Sequence, residues 1–92
     1  MKNEKANKIL DMIYLGEREA DSYGYEVLYK GKVIDIFYPL DYIESRKLKL
    51  SKKEIEAIED GDVDTTNYLF EIWKEEPNIK EILLEEASEV ND

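Results

Sequence analysis

Two apolar runs with a two-residue period, residues 22–29 (SYGYEVLY) and 32–39 (KVIDIFYP), flank the dipeptide Lys30-Gly31. Such runs pair as antiparallel strands across a two-residue turn, and Gly31 supplies the positive φ that so tight a turn needs. With Lys30 and Gly31 as the loop, Tyr29 is expected opposite Lys32, Val27 opposite Ile34, Tyr25 opposite Ile36 and Tyr23 opposite Tyr38. That register gathers Tyr25, Val27, Ile34 and Ile36 on one face. The other face carries Leu28 with Val33, Glu26 with Asp35, and Gly24 with Phe37. Two carboxylates directly across from each other repel unless hydrated, so this side is expected to be wet, with Asp35 exposed, apart from its apolar strip. Pro39 has no amide to donate and should end the second strand. A lone hairpin is marginal in water, so the rest of the chain must cover it.

The flanking segments have helical periods. Ala6, Ile9, Leu10 and Ile13 share one helical face, Asn3 can cap the start and Gly16 can end the last turn, which predicts a first helix over about residues 4–14. After Pro39, Leu40, Tyr42, Ile43, Leu48 and Leu50 fit a short helix followed by an extended turn. Ser51 and Glu54 form a capping box, with Leu50 and Ile55 as a hydrophobic staple, and Gly61 marks the end of that helix. A further helix is expected from Asp64, with Tyr68, Leu69, Ile72 and Trp73 on one face, stopping before Pro77. The last starts at Pro77 or Asn78 and aligns Ile79, Ile82, Leu83, Ala87 and Val90. The expected fold is α+β in one domain over residues 1–92: an N-terminal helix, a two-stranded antiparallel β-hairpin, then three to four short C-terminal helices packed on the hairpin.

Composition narrows the chemistry. The 92 residues include no Cys and no His, which removes thiolate nucleophiles, zinc-thiolate sites and the usual near-neutral proton shuttle. Acids otherwise occur in surface-like runs, so the chain is expected to be no enzyme and to need no cofactor. No apolar run approaches the roughly 18 residues that cross a bilayer, and MKNEKANKILDM lacks the features of a secretory signal, so a cytoplasmic protein without membrane contact is expected.

Charge is divided unequally. Residues 1–53 hold 11 bases and 9 acids, whereas residues 54–92 hold 2 bases, Lys74 and Lys80, and 14 acids. The C-terminal half therefore presents a field of one sign, which attracts cationic partners and repels nucleic acid and anionic membranes. The candidate binding face comprises Glu54, Glu56, Glu59, Asp60, Asp62, Glu71, Glu75, Glu76, Glu81, Glu85 and Glu89, with Tyr29 near the turn as a possible aromatic anchor. Glu81, Glu85 and Glu89 fall at i, i+4, i+8, one row on a helix. Rows of carboxylates resemble the phosphates of a duplex, which carries about one charge per 1.7 Å of axis.

In composition, this small, acidic, Cys-free α/β chain resembles the DNA-mimic inhibitors of bacteriophages, including some anti-CRISPR proteins, and the immunity proteins that neutralise nuclease toxins. The resemblance implies binding and inhibition of a basic nucleic-acid-handling protein, and it transfers no individual residues. Two other readings are open. A structural or regulatory interaction module, possibly homodimeric, would use the apolar strip Leu28, Val33 and Phe37, its charge serving solubility. A calcium-binding helix-loop-helix module would use Asp60, Asp62, Asp64 and Glu71, which stand at positions 1, 3, 5 and 12 of DGDVDTTNYLFE. That segment lacks the Gly that such loops place at position 6.

Overall fold

At the tip of the hairpin Lys30 and Gly31 both adopt positive φ, 52° and 79°, the pair of left-handed residues of a type I′ turn, whose twist matches that of the strands it joins. The structure, a computed structural model, describes residues 2–19 and 24–90; Tyr23 and its expected pairing with Tyr38 lie outside them. The elements run α1 (Lys2–Asp11), β1 (Tyr14–Arg18), β2 (Tyr25–Tyr29), β3 (Lys32–Phe37), α2 (Pro39–Arg46), α3 (Lys52–Glu59), α4 (Val63–Glu75) and α5 (Pro77–Val90). The class is α+β as expected, with one correction: the sheet has three antiparallel strands in the order β1-β2-β3.

The added strand replaces the end of the predicted first helix. α1 stops at Asp11, and Tyr14 and Leu15 pair with Leu28 and Val27. Gly16, expected as a helix terminator, lies instead inside β1, where the register shifts before Arg18 meets Tyr25. An added Cβ at Gly16 would come within 2.3 Å of Leu28 Cδ1, so the glycine allows the neighbouring side chain to lie across the strand.

The expected hairpin register holds only next to the turn. Tyr29 pairs with Lys32 and Leu28 with Val33, but Val27 then pairs with Asp35, Glu26 with Ile36 and Tyr25 with Phe37. Ile34 is the extra residue of a β-bulge, and one extra residue exchanges the two faces of a strand beyond it. Phe37, predicted on the wet side, is thus buried with Tyr25, Val27 and Tyr29, while Ile36 turns outward beside Glu26.

The buried face meets the helices in an aromatic cluster. The Phe37 ring lies 4.8 Å from Trp73, 5.7 Å from Phe70 and 5.8 Å from Tyr42, and Phe70 and Trp73 are 5.9 Å apart, tilted geometries that favour ring pairs beyond their area burial. Leu10, Ile13, Ile43, Ile58, Leu69, Leu83 and Ala87 complete the core. α4 buries Thr66, Leu69, Phe70 and Lys74, with Trp73 half-buried, so its inward face is rotated from the expected one and leaves Tyr68 and Ile72 outside.

Candidate functional site

Helix boundaries set which carboxylates are free. Ser51 opens α3 with a full capping box: its hydroxyl accepts the Glu54 amide at 3.1 Å, and its own amide donates to Glu54 Oε1 at 3.0 Å. The Ser51 amide first, and then the Ser51 hydroxyl, hold the Glu54 carboxyl below its usual range. Gly61, at φ 89°, ends the helix, and an added Cβ there would approach Arg18 Nη1 to 3.1 Å. Asp62, not Asp64, is the N-cap of α4. Its carboxylate accepts from the Thr65 hydroxyl at 2.6 Å and the Thr65 amide at 3.0 Å, which lowers its pKa.

These assignments correct the calcium-loop reading. Asp60 is the C-cap of α3, Asp62 the N-cap of α4, and residues from Val63 onward are helical, so DGDVDTTNYLFE forms no twelve-residue loop. Asp64 and Glu71 lie two turns apart on α4, roughly 10 Å along its axis. Among the described residues no group of three or more candidate ligands could hold a metal ion.

Three other expected site residues are engaged within the molecule. Glu76 receives a two-pronged hydrogen bond from Arg46, Nε to Oε2 at 2.9 Å and Nη2 to Oε1 at 2.5 Å, which pulls its pKa down. Burial, together with Glu76, pushes the adjacent Tyr42 hydroxyl up to about 12. Glu71 pairs with Lys74 at 2.9 Å and Glu75 with Lys80 at 3.5 Å.

The remainder are uncommitted. Glu56, Glu59, Asp60, Glu81, Glu85 and Glu89 are exposed and have no basic partner among the described residues. On α5 the last three recur every four residues, about 6 Å along the axis. Between α3 and α5 in sequence lie Tyr68, 66% exposed, and Ile72, 39% exposed, one turn apart on α4. Tyr29, the expected anchor, is only 2% exposed, because the inward side of β2 takes Tyr25, Val27 and Tyr29 together. Tyr68 is thus the exposed aromatic group of the acid-rich helices.

Two polar residues escaped the sequence reading. Lys74 is 5% exposed and donates from Nζ to the carbonyls of Leu10 at 2.9 Å and Ile13 at 3.2 Å. The Leu10 carbonyl also accepts the Ile13 amide at 3.1 Å, and a cation just past the C-terminus of α1 complements the helix dipole. Glu86 is turned from the Glu85 row toward β3, and its carboxyl is held up to about 7, first by burial and then by the Asp35 carboxyl beside it. Asp35 was expected to be exposed opposite Glu26; the bulge instead places it opposite Val27, half-buried, with Oδ1 accepting the Ile36 amide at 2.7 Å.

Comparison with protein-family models, curated proteins and solved structures finds no match. No described helix is long and apolar enough to cross a membrane.

Proposed function

We propose that this chain binds a basic, nucleic-acid-handling protein through its C-terminal helices and inhibits it by occupying the surface that otherwise holds phosphate. The observation that carries the reading is the set of six exposed acids without basic partners among the described residues, Glu56, Glu59, Asp60, Glu81, Glu85 and Glu89, on C-terminal helices that also expose Tyr68 and Ile72. A face serving solubility alone normally mixes signs. Carboxylates of this kind speed association and select for Lys- and Arg-rich surfaces, and a desolvated aromatic anchor contributes most to slow dissociation. The α5 row by itself, at one charge per roughly 6 Å, is sparser than duplex phosphates, so contributions from α3 and α4 belong to the same footprint.

The test is capture on the immobilised full chain from cell lysate, followed by competition. Captured proteins should bind nucleic acid, be released by short duplex DNA and by a salt step, and be lost from the double variant E81K/E85K. Tyr68→Ala should weaken retention of the same proteins at least tenfold while leaving the fold intact, since its ring is mostly exposed. Capture that is insensitive to salt and to charge reversal would overturn the reading.

A further inference from the structure

At the end of β3, α2 and α4 border a groove of about 240 Å³. That is less than the roughly 300–1,000 Å³ of a small-molecule pocket, so the groove suits one side chain rather than a whole ligand. Four of the residues that line it are aromatic: Phe37, Tyr38, Tyr42 and Trp73. Tyr38 is 42% exposed, and Trp73 is half-buried with its ring 4.8 Å from Phe37. Tyr42 lies beneath Arg46, whose guanidinium carbon is 5.5 Å from the ring centroid. The groove has two charged groups in its lining, Asp41 and Arg46. They differ in what they already hold. Arg46 is matched by Glu76 through two hydrogen bonds, whereas Asp41 is exposed and has no basic partner among the described residues.

We propose that this groove receives an arginine side chain of the partner protein, its guanidinium stacked on Trp73 and Tyr38 and paired with Asp41. The assignment deepens, and rests on, the reading of a basic partner from the acidic helices. Charge selects the occupant. With Arg46 neutralised by Glu76, the Asp41 carboxylate is the uncompensated charge of the groove, and aromatic faces attract cations rather than anions. The net charge of −10 acts in the same sense over longer range. The molecule already contains this arrangement once: the Arg46 guanidinium lies over the Tyr42 ring with a carboxylate, Glu76, as its counter-charge. A second guanidinium on the neighbouring rings, with Asp41 as counter-charge, repeats it. Between the two basic side chains, arginine is the better fit. Its guanidinium is planar, weakly hydrated and able to meet a carboxylate with two parallel N–H groups while its face rests on a ring, whereas the ammonium of lysine is compact and strongly hydrated.

Trp73 is the chain's single tryptophan, so its fluorescence reports on this groove. Titration of the full chain with N-acetyl-L-arginine amide at constant ionic strength is expected to change the emission saturably, with a Kd in the millimolar range that suits one side chain. The lysine amide should bind at least about threefold more weakly. N-acetyl-L-citrulline amide, similar in shape and uncharged, should give no saturable change. Asp41→Asn and, independently, Tyr38→Ala should each raise the Kd for the arginine amide at least about threefold with an unchanged circular dichroism spectrum. Both side chains are exposed, so folding tolerates either change. No saturable response to the arginine amide, an equal response to the citrulline amide, or a Kd that both variants leave unchanged overturns the proposal. The double variant E81K/E85K separates the two readings, since it should abolish capture of the basic partner and leave the arginine amide Kd within about twofold. A groove that stays silent while capture persists overturns this proposal alone; capture that ignores charge reversal overturns the acidic-face reading, whatever Trp73 reports.

Discussion

Lys74 holds two parts of the chain together that sequence separates by more than 60 residues. Its Nζ bonds the Leu10 and Ile13 carbonyls, its stem lies in the core, and Glu71 supplies the counter-charge from the surface. Replacing a buried ionic group by an apolar one is sometimes neutral. Here, however, the Ile13 carbonyl would lose the Lys74 donor, whereas the Leu10 carbonyl would keep the Ile13 amide at 3.1 Å, and an unsatisfied buried acceptor costs about 1–3 kcal/mol. Lys74→Met is therefore expected to lower unfolding free energy by about 1–3 kcal/mol in urea denaturation with an unchanged slope, and a variant as stable as the parent would remove that role. Nothing local in the sequence marks this lysine: it reads as one of two bases in an acidic segment, and its partners become visible only when α4 is laid against α1. The same holds for Tyr29 and Tyr68, whose expected exposures are reversed. Tyr29 shares the inward side of β2 with Tyr25 and Val27, and its place beside the turn does not expose it, whereas Tyr68 lies in an amphipathic pattern whose phase is settled by the rotation of α4 against neighbours far away in sequence.

At the scale of elements, most boundaries were legible because local chemistry sets them: the Lys30-Gly31 turn, the Ser51/Glu54 box, Gly61 and Pro77 all act within one turn of the chain. The strand β1 was not. Five residues with Gly16 in the middle carry little strand signal, and α1 ends at Asp11 in tight turns from the Met12 and Ile13 amides to the Ile9 and Leu10 carbonyls. The contact of α5 with β3 was equally hidden, since it depends on the bulge turning Asp35 inward. That contact is expected to make stability depend on pH. Groups facing Glu86 are Asp35 from β3, Glu85 and Glu89 from its own helix, and Lys32, which shares with Glu86, Glu89, Val33, Ile34 and Val90 the lining of a groove of about 260 Å³. Ionised, Glu86 Oε1 is a buried acceptor without a donor; protonated, the carboxyl can donate to Asp35. Its folded pKa of about 7 exceeds the ordinary 4.5. The folded state thus binds a proton that the unfolded state has released between those values, and stability must fall as pH rises from 4.5 through 7. Thermal melting is expected at a higher temperature at pH 5 than at pH 8, and Glu86→Gln should flatten that dependence while adding about 1 kcal/mol at pH 8, after allowance for solvent screening of a half-exposed group. A wild-type melting temperature that rises over this pH range would contradict the assignment.

Over the whole molecule, charge is divided between the sheet and the C-terminal helices. The sheet belongs to the nearly balanced residues 1–53, and the acids of residues 54–92 lie on helices behind it. Sorting has an internal cost: like charges four apart on a helix destabilise it by about 0.2–0.5 kcal/mol per pair. Glu85 faces both Glu81 and Glu89 in the α5 row. Glu85→Lys is expected to replace two repulsions with two attractions and raise stability by about 1 kcal/mol at low salt, with the gain shrinking in 0.5 M NaCl as both are screened. Calorimetry at the two salt concentrations measures this, and a gain that salt leaves unchanged would show that packing, not charge, is responsible. A protein that keeps a destabilising row fits the reading that the row serves binding.

The bulge at Ile34 also bears on how the chain reaches this structure. Next to the turn the strands are in step with the even pairing that alternation alone favours; beyond Ile34 they are out of step with it by one residue. What selects the odd pairing is Phe37, which gains Phe70, Trp73 and Tyr42 by facing inward. Those rings arrive from α2 and α4, so the turn can close early while the far half of the hairpin stays uncommitted until the helices dock. A synthetic peptide of residues 24–38, freed of the helices, is expected to show cross-strand NMR contacts of Val27 with Ile34 rather than with Asp35. The final pairing of β2 with β3 is then a tertiary event, the last part of the hairpin to become definite.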